Sequence, residues 1–303
     1  MLGVSAKGWI DDPTTITEDG IYMYNPVGAT EFYTYRNNEW VKFALGGNTG
    51  FADFIAGADA EEFTLPKGIT SIAPYLFYGR NYTTITIPAT VTAIGEYAFY
   101  NCPNLTTIKF EGASALWGKI NCRPNWINEN ANYLIVCSDN TVVDLNGIAY
   151  GLNSAKDRYT VKGLAAVNSM DGVEMPPKKP IDAVLLSEID GIPVTAIANR
   201  AFEDCLALRS IVIPSSITTI GWEAFYQCSN LKTANIEANI TNIPSNCFYE
   251  CKQLASVTIP EGVTTITFEA FRNCYKLYQI TLPSTLTTIG SNAFANCSAL
   301  IEV

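Results

Sequence analysis

The sequence predicts a mainly β solenoid with short helical turns, in which short coils stack to share one apolar core. One 23-residue pattern occurs four times in succession between Leu208 and Ala299, and 48% of the chain is hydrophobic. A period of about 20–50 residues is typical of solenoids, because a single coil cannot bury its apolar face without neighbours. The period is clearest in five cysteines that each lie 23 residues apart: Cys205, Cys228, Cys251, Cys274 and Cys297.

Each coil contains two extended pieces and a turn. The pattern L-x-x-I-x-I-P spaces its isoleucines two residues apart, which predicts a strand with one face inward, ended by a proline such as Pro214. The pattern V-T-x-I-G predicts a second extended piece, with Gly221 and Gly290 allowing the bend. In A-F-x-x-C the Phe and Cys are three residues apart, which predicts a single helical turn.

The cysteine column predicts reduced thiols that pack in the core. Cys102 occupies the same position of the repeat as the five cysteines above. Side chains that point in parallel into a core rarely reach the torsion that a disulfide needs. The chain has no C-x-x-C pair and no histidine, which excludes the usual mixed zinc sites. We therefore expect no metal and no cofactor.

Residues 1–60 do not follow the repeat and predict a small β-rich unit. Three segments rich in aromatic and β-branched residues predict strands, namely 21–24, 31–36 and 39–43. Asn37 and Asn38 fit a two-residue hairpin turn between the last two. Residues 46–60 are rich in Gly and Ala, which predicts a linker or a short helix.

A break of about 80 residues interrupts the repeats, and it predicts structure of its own, since a structureless loop of that length is improbable in a solenoid. Coils are evident from Phe63 and again over residues 82–104 before the break, and the pattern resumes at residues 191–207. Within the break, alternating apolar residues between Ile148 and Val161 suggest a hairpin. Residues 167–182 contain three prolines and predict an irregular connection.

The repeats match a known family pattern. I-P-x-x-V-T-x-I-G-x-x-A-F-x-x-C-x-x-L occurs nearly intact over residues 87–105, 213–231 and 282–300. In this the chain resembles the BspA-like leucine-rich repeats of bacterial surface proteins, some protists and gut-associated phages. The resemblance implies a right-handed leucine-rich-repeat solenoid in two tandem arrays, with the N-terminal unit outside it.

The resemblance also implies how the arrays begin and end. The segment FEGASALWGKI at residues 110–120 is similar to the segment that closes many such arrays, and residues 146–163 resemble the hairpin that opens one. We therefore expect an attachment or anchoring unit at 1–60, a first array with a closing module at 61–140, and a second array at 141–303.

Charge and composition exclude several functions. The chain has 19 basic and 29 acidic residues, a net charge of −10, which argues against nucleic acid and against anionic membranes as partners. No apolar run reaches transmembrane length, and the sequence as given carries no secretory signal, so membrane insertion is not expected.

A catalytic function is not expected. Zero histidines exclude Ser-His-Asp and Cys-His arrangements, and no phosphate-binding glycine motif is present. Adjacent acids at Asp11-Asp12, Glu61-Glu62 and Glu203-Asp204 are interpreted as solvated surface, because none lies among other oxygen ligands in the sequence. We therefore predict no catalytic residues.

Two faces remain available for binding. The outward strand positions are mostly hydroxyl-bearing: Thr83, Thr84, Thr86, Arg209, Ser210, Lys232, Thr233, Ser256, Thr258, Tyr278 and Gln279. On the turn face, register places Trp222 and Phe268 in one column and Tyr226 and Tyr249 in another. Exposed aromatics often carry interface energy, although these rings could equally pack on their own ridge. The candidate partner-binding residues are Trp222, Tyr226, Tyr249, Phe268, Tyr275 and Tyr278.

The resemblance implies a non-enzymatic protein-binding or adhesion solenoid displayed at a cell surface, with a protein or surface glycan as ligand. The alternative is a phage virion structural or decoration protein, anchored by residues 1–60 with the repeats facing outward. The last repeat stops within its strand at Val303, so we also expect either that an oligomer or assembly partner covers an open C-terminal end or that the sequence is a piece of a longer protein.

Overall fold

The computed structural model describes residues 61–65, 67–72, 74, 76–123, 125–128, 133–144, 146–165 and 180–301, and the backbone alone of six further strands. Two compact units make up the chain, unit 1 at Met1–Asp139 and unit 2 at Asn140–Val303. Both are built mostly from short strands, as the sequence predicts.

The N-terminal part of unit 1 contains a four-stranded sheet in the order β1-β2-β3-β4. The β1–β2 pair is parallel and the next two pairs are antiparallel. Arg36 pairs with Glu39, so the last two strands pair antiparallel from these residues onward; Asn37 and Asn38, where the sequence predicts the turn, lie outside the described residues. Residues 46–60 lie outside the described part of the chain. The strands are β1 (Ala6–Ile10), β2 (Gly20–Tyr24), β3 (Phe32–Arg36) and β4 (Glu39–Phe43).

The repeats of unit 1 form two parallel sheets, one for each extended piece of the coil. The first sheet is β5-β7-β9-β11 and the second is β6-β8-β10. A short helix, α1, lies in the last coil. The elements are β5 (Glu62–Thr64), β6 (Ser71–Ile72), β7 (Thr84–Ile87), β8 (Ala93–Ile94), β9 (Thr107–Phe110), α1 (Ser114–Trp117), β10 (Asn121–Cys122) and β11 (Leu134–Cys137).

Unit 2 begins with antiparallel strands and continues as parallel coils. β12, β13 and β14 pair antiparallel in turn, which confirms the hairpin predicted between Ile148 and Val161. Their strands, with the two that follow, are β12 (Thr141–Val143), β13 (Ile148–Leu152), β14 (Tyr159–Leu164), β15 (Ser169–Met170) and β16 (Val173–Glu174).

The coils of unit 2 contribute to a parallel sheet β17-β20-β22-β24-β26, while β23, β25 and β27 form a second one. The strands are β17 (Ile181–Val184), β18 (Glu188–Ile189), β19 (Ile192–Ile197), β20 (Leu208–Ile213), β21 (Thr219–Ile220), β22 (Thr233–Ile236), β23 (Asn242–Ile243), β24 (Ser256–Thr258), β25 (Thr265–Ile266), β26 (Gln279–Thr281) and β27 (Thr288–Ile289). The irregular connection predicted for residues 167–182 was wrong in part, because this stretch contains β15, β16 and the start of β17.

The A-F-x-x-C segment is a pair of consecutive turns, where a single helical turn is predicted. In one coil Tyr226 N donates to Glu223 O (3.0 Å) and Cys228 N donates to Phe225 O (3.2 Å). Glu223 and Gln227 each have φ of +56°, in the left-handed region. This conformation turns the intervening N–H groups toward the next coil, where Phe225 N reaches Cys247 O at 2.9 Å. The turns therefore hydrogen-bond from coil to coil, as the strands do.

Gly221 and Gly290, for which the sequence predicts a bend, have another role. Neither has a positive φ. A Cβ atom on Gly221 would lie 2.3 Å from Asn199 N, and one on Gly290 would lie 2.7 Å from Thr267 C. These positions need glycine because the backbone of the preceding coil approaches too closely for a side chain.

The core of unit 2 is organised by one stack of phenylalanine rings. Successive rings lie with centroids 5.1–5.3 Å apart and planes within 6° of parallel. Parallel offset stacking of this kind favours a constant rise from coil to coil. The five rings belong to Phe202, Phe225, Phe248, Phe271 and Phe294.

The cysteine column donates hydrogen bonds to the backbone of this stack. Cys251 Sγ donates to Phe225 O at 3.2 Å, and Cys228, Cys274 and Cys297 make the equivalent contact to the ring residue one coil earlier. All nine cysteines are free thiols, including the six of the column for which the sequence predicts this. Burial raises the pKa of Cys251 well above its ordinary value, which keeps the proton that the hydrogen bond needs. The column is thus a hydrogen-bond ladder as well as core packing.

Unit 1 ends its ring stack with aromatic residues of other orientations. Phe77 and Phe99 are stacked at 5.2 Å with planes 7° apart, as in unit 2. Trp126 then meets Phe99 edge-on, with centroids 5.9 Å apart and planes at 87°. Trp117 and Tyr133 pack on Trp126 in turn. The regular stack therefore stops after two coils.

A buried carboxylate holds the hairpin that opens unit 2. Asp144 accepts hydrogen bonds from Asn146 N and Ile148 N, each 2.9 Å, and from the hydroxyl of Tyr150 at 3.0 Å. The same hydroxyl accepts from Leu186 N at 3.2 Å. Burial raises the pKa of Asp144 to about 6, outweighing the hydrogen bonds, which lower it.

Candidate binding surface

The turn strip of unit 2 is the surface formed by residues 199–204, 222–227, 245–250, 268–273 and 291–296. Backbone hydrogen bonds fix its register: Asp204 N donates to Tyr226 O, and Gln227 N donates to Tyr249 O, both at 2.8 Å. Residues 23 positions apart therefore lie side by side in columns. A left-handed residue occurs twice in each segment, so all five segments share one turn conformation.

Trp222 and Phe268 lie in the same column, two coils apart, with Ser245 between them. Their side chains are 44% and 48% exposed. The guanidinium carbon of Arg200 lies 4.6 Å from the centroid of the Trp222 ring, which is cation–π geometry. Trp222 therefore presents a partly covered ring to solvent, and Phe268 presents an exposed one.

Tyr226 and Tyr249 form a stacked pair in the neighbouring column. Their ring centroids are 4.9 Å apart with planes 8° from parallel, and both side chains are half-buried. The guanidinium carbon of Arg272 lies 6.0 Å from the Tyr249 centroid. Because Arg272 belongs to the following coil, it lies on the side of Tyr249 that faces away from Tyr226.

Ion pairs fix both arginines over their rings. Arg200 Nε lies 2.6 Å from a carboxylate oxygen of Glu223, and Arg272 pairs with Glu269. Each arginine therefore contacts a carboxylate and an aromatic face together. Pairs of this kind are worth little on a mobile surface, but here the column positions hold the partners in register.

Acidic groups give the stacked tyrosines a negative surrounding. Burial raises the pKa of Tyr226, and negative charge nearby raises it further; the neighbours responsible are Tyr249, Glu250, Glu223 and Asp204. Three carboxylates therefore act on one phenol.

The remaining two candidates lie elsewhere. Tyr275, 42% exposed, follows Cys274 in the loop that leaves the turn strip, and Tyr278, 59% exposed, precedes β26 on the strand face. The structure therefore brings Tyr226 and Tyr249 into contact, places Trp222 and Phe268 on the same strip, and places Tyr275 and Tyr278 outside it. Whether any of them binds a partner stays a prediction.

The strand face differs in two respects from the hydroxyl ladder that the sequence predicts. Thr84, predicted to point outward, is buried at 8% exposure. Glu62 and Lys109 lie on the strands on either side of β7, and their ion pair at 3.6 Å crosses over it. In unit 2, Arg209 Nε donates to Asp182 at 2.8 Å, so this part of the face is an ion pair.

Sequence reasoning missed a second stacked tyrosine pair, in unit 1. Tyr78 and Tyr100 have centroids 6.1 Å apart with planes 11° from parallel. Each follows a core phenylalanine, Phe77 or Phe99, as Tyr226 and Tyr249 do. Alignment of the degenerate first coil on its core phenylalanine would have found this pair.

No group of three or more His, Cys, Asp or Glu suited to hold a metal ion occurs among the described residues. None of the helices in the described ranges is long and apolar enough to cross a membrane.

Comparisons with known proteins identify the repeats. A family model for the BspA type leucine-rich repeat region matches six copies, over residues 52–118 and 187–301. A comparison with curated proteins found no match.

Solved structures of bacterial leucine-rich repeat proteins are similar to the chain. A leucine-rich repeat protein from T. pallidum has 29% identity and a TM-score of 0.41, and the match covers 51% of this chain and 66% of that one. The chain therefore spans just under two thirds of the length of that protein. A leucine-rich cell surface protein from Faecalibacterium prausnitzii has 21% identity and a TM-score of 0.43, covering 91% and 93%. A leucine-rich repeat protein from Eubacterium ventriosum has 20% identity and a TM-score of 0.39, covering 85% and 88%.

Proposed function

Because the chain belongs to the BspA-type leucine-rich repeat family, we propose that it is a non-enzymatic protein-binding solenoid whose turn strip in unit 2 contacts the partner. Repeat solenoids present wide, regular faces that are suited to recognition. The observation that carries the proposal is the exposure of large rings on a strip that backbone hydrogen bonds hold in register.

The geometry of the strip supports a binding role over simple self-packing. A ring that only shields the coil beneath it gains most by lying flat and buried, yet Trp222 and Phe268 remain about half exposed. Preorganised aromatic anchors lose little conformational entropy on binding, and interface energy concentrates on them.

Alanine substitution of Trp222, Tyr226 and Phe268 together tests the proposal. The immobilised whole chain is exposed to a mixed preparation of secreted and cell-surface proteins, and captured proteins are identified by mass spectrometry. We expect the triple variant to lose the captured partner while keeping the circular dichroism spectrum and the cooperative thermal transition of the wild type.

A strand-face variant is the matched control. Replacing Thr233, Thr258 and Gln279, which are exposed on that face, with alanine should leave capture unchanged. Capture that survives the ring substitutions and disappears with the strand-face substitutions would overturn the proposal.

The proposal extends to the location of the protein and to the class of its ligand. We propose display at a cell surface, with a protein as the main ligand class and a surface glycan as the alternative ligand. A virion role anchored by residues 1–60 stays a prediction, and neighbouring capsid or tail genes would support it. Ile289 and Ile301 are exposed near the end of the last coil. That an oligomer or assembly partner covers this apolar end also stays a prediction, and light scattering, which measures the mass of the particle in solution, checks it.

A further inference from the structure

The stacked tyrosine pair has two outer faces, and they differ in what lies beside them. The residues that directly follow the core phenylalanines form one column: Glu203, Tyr226, Tyr249, Arg272 and Ala295. Backbone hydrogen bonds fix the register of this column, with Asp204 N on Tyr226 O at 2.8 Å and Glu250 N on Arg272 O at 2.9 Å. The pair therefore lies between an acidic residue on one side and an arginine on the other.

The outer face of Tyr249 already carries a guanidinium group. Arg272 lies over this ring at 6.0 Å and pairs with Glu269. Arg200 has the same arrangement over Trp222, with Glu223 as its carboxylate. The strip thus contains two internal examples of a guanidinium held by a ring and a carboxylate.

On the outer side of Tyr226, the column has an acidic residue in the position where Tyr249 has an arginine. The preceding coil contributes Glu203 to this column and Asp204 beside it, and both are exposed. Arg200 pairs more closely with Glu223, at 2.6 Å, than with Glu203, at 3.9 Å. Glu203 therefore lies beside Tyr226 in the column and Asp204 acts electrostatically on its phenol, so an aromatic ring and two acidic side chains are neighbours here.

We propose that the outer face of Tyr226, with the carboxylates of Glu203 and Asp204, binds an arginine side chain on an exposed segment of a protein partner. A planar guanidinium can stack flat on the ring and donate paired hydrogen bonds to a carboxylate at once, whereas a compact ammonium group has neither the planar shape nor the fork of donors. This inference specifies which side chain of the partner is recognised, and it rests on the proposed function.

Charge complementarity supports a basic partner. Residues 180–301 contain ten acidic and six basic side chains. Of the basic ones, Arg200 and Arg272 are paired on the strip, and Lys252 lies 3.3 Å from Glu250. A partner segment that brings its own arginine therefore adds positive charge to this acidic surface beside Tyr226.

A blocked hexapeptide of alternating arginine and serine is the probe, and two-dimensional amide NMR of the whole chain is the readout. We expect saturable shifts at residues 203–204 and 226–227. The same peptide with citrulline in place of arginine keeps the planar side chain without its charge, and it should give no saturable shift. Equal binding of the two peptides overturns the proposal.

Two conservative substitutions locate the site. Glu203→Gln together with Asp204→Asn should weaken the arginine peptide about fivefold, since two charge contacts are lost. Glu188→Gln, an exposed acid outside the strip, should leave the affinity unchanged. A loss of the same size with Glu188→Gln would show a general charge effect and overturn the proposal.

A ring substitution completes the test. Tyr226→Leu removes the aromatic face and should also weaken the peptide, whereas an unchanged affinity contradicts the assignment. If the triple ring variant loses partner capture but the carboxylate variant keeps both capture and peptide affinity, the proposed function stands and this inference fails.

Discussion

The two units differ in how the aromatic rings pack at the core phenylalanine position of the repeat. In unit 2 the ring stack continues through five coils with nearly parallel planes. In unit 1 it stops after Phe99, where Trp126 turns its edge to the ring. A parallel stack always leaves a further ring face that another coil can cover, whereas edge-to-face rings fill the space and end the series. Propagation and termination therefore depend on ring orientation at one column.

The backbone shows the same difference. In unit 2 the left-handed residue Gln227 donates its N–H to the carbonyl oxygen of Tyr249 in the next coil. In unit 1 the equivalent residue, Asn101, donates its N–H to the side chain of Asn128 at 2.7 Å. The last coil of unit 1 thus replaces a backbone acceptor with a side-chain acceptor, which lets the chain leave the repeat geometry without leaving the donor unpaired.

The largest expected loss of stability comes from a substitution at the centre of the phenylalanine stack of unit 2. Phe248→Ala should lower the free energy of unfolding by about 3–5 kcal/mol, because a fully buried ring with a stacked neighbour on each side leaves a cavity. Phe294→Ala removes a half-buried ring with one stacked neighbour and should cost less than half as much. Urea unfolding measures both, and equal costs would contradict the stack as the organising feature of unit 2.

The next effect is a pH dependence of stability that arises from Asp144, in the hairpin at the start of unit 2. The pKa of Asp144 is about 6 in the folded chain, above its ordinary value of 3.8, so the folded state binds the proton more tightly. Stability from this group is complete below pH 3.8 and is lost as the pH rises to about 6, by about 2–3 kcal/mol. Asp144→Asn should abolish this slope in urea unfolding between pH 4 and 7. A slope of the same size in the variant would exclude Asp144 as its source.

A smaller effect separates the hydrogen-bonding cysteines from those that only pack. Cys251→Ala leaves the carbonyl oxygen of Phe225 without its thiol donor and should cost about 1–2 kcal/mol. Cys247 is equally buried but occupies a column in which Ala224 and Ala270 stand in neighbouring coils, so Cys247→Ala should cost less than about 1 kcal/mol. Thermal unfolding compares the two variants, and a larger loss for Cys247→Ala would refute the ladder.

The smallest effect concerns the end of unit 1. Asn128→Ala removes the acceptor of the Asn101 N–H and should cost about 0.5–1 kcal/mol, because water can partly replace it at this exposed position. Asn128→Asp keeps an acceptor oxygen and should restore most of the loss. Urea unfolding of unit 1, followed by tryptophan fluorescence, measures the difference. No cost for the alanine variant would show that the last coil does not need this contact.

The repeat and its columns could be predicted from the sequence because each column uses one residue type at a fixed spacing. Ile and Phe at positions such as Ile220 and Phe225 report burial directly, and the hairpin between Ile148 and Val161 has clear alternation. Strand β17 was missed because Ile181, Ala183 and Leu185 follow a proline-rich stretch that hides a short alternating pattern.

The left-handed turns could be predicted only in part from residue type, because Asn and Asp, which favour this region, occupy only five of the ten left-handed positions of the turn strip. Arg200, Glu223 and Gln227 all adopt positive φ, although such residues pay about 1–2 kcal/mol for it. The hydrogen bonds between coils compensate for that cost, and they exist only after the coils stack. The arginine–ring contacts were missed for the same reason, because Arg200 and Trp222 are 22 residues apart in the sequence.

The comparison of the two units also gives the most direct test of the binding surface. Unit 1 offers a matched ring cluster in Tyr78, Tyr97 and Tyr100, and unit 2 offers Trp222, Tyr226 and Phe268. Triple alanine variants of each are compared in one partner-capture experiment with the whole chain. We predict that capture is lost with the unit 2 variant and retained with the unit 1 variant. Retention of capture by the unit 2 variant, with loss in the unit 1 variant, would contradict the assignment of the turn strip of unit 2 as the binding surface.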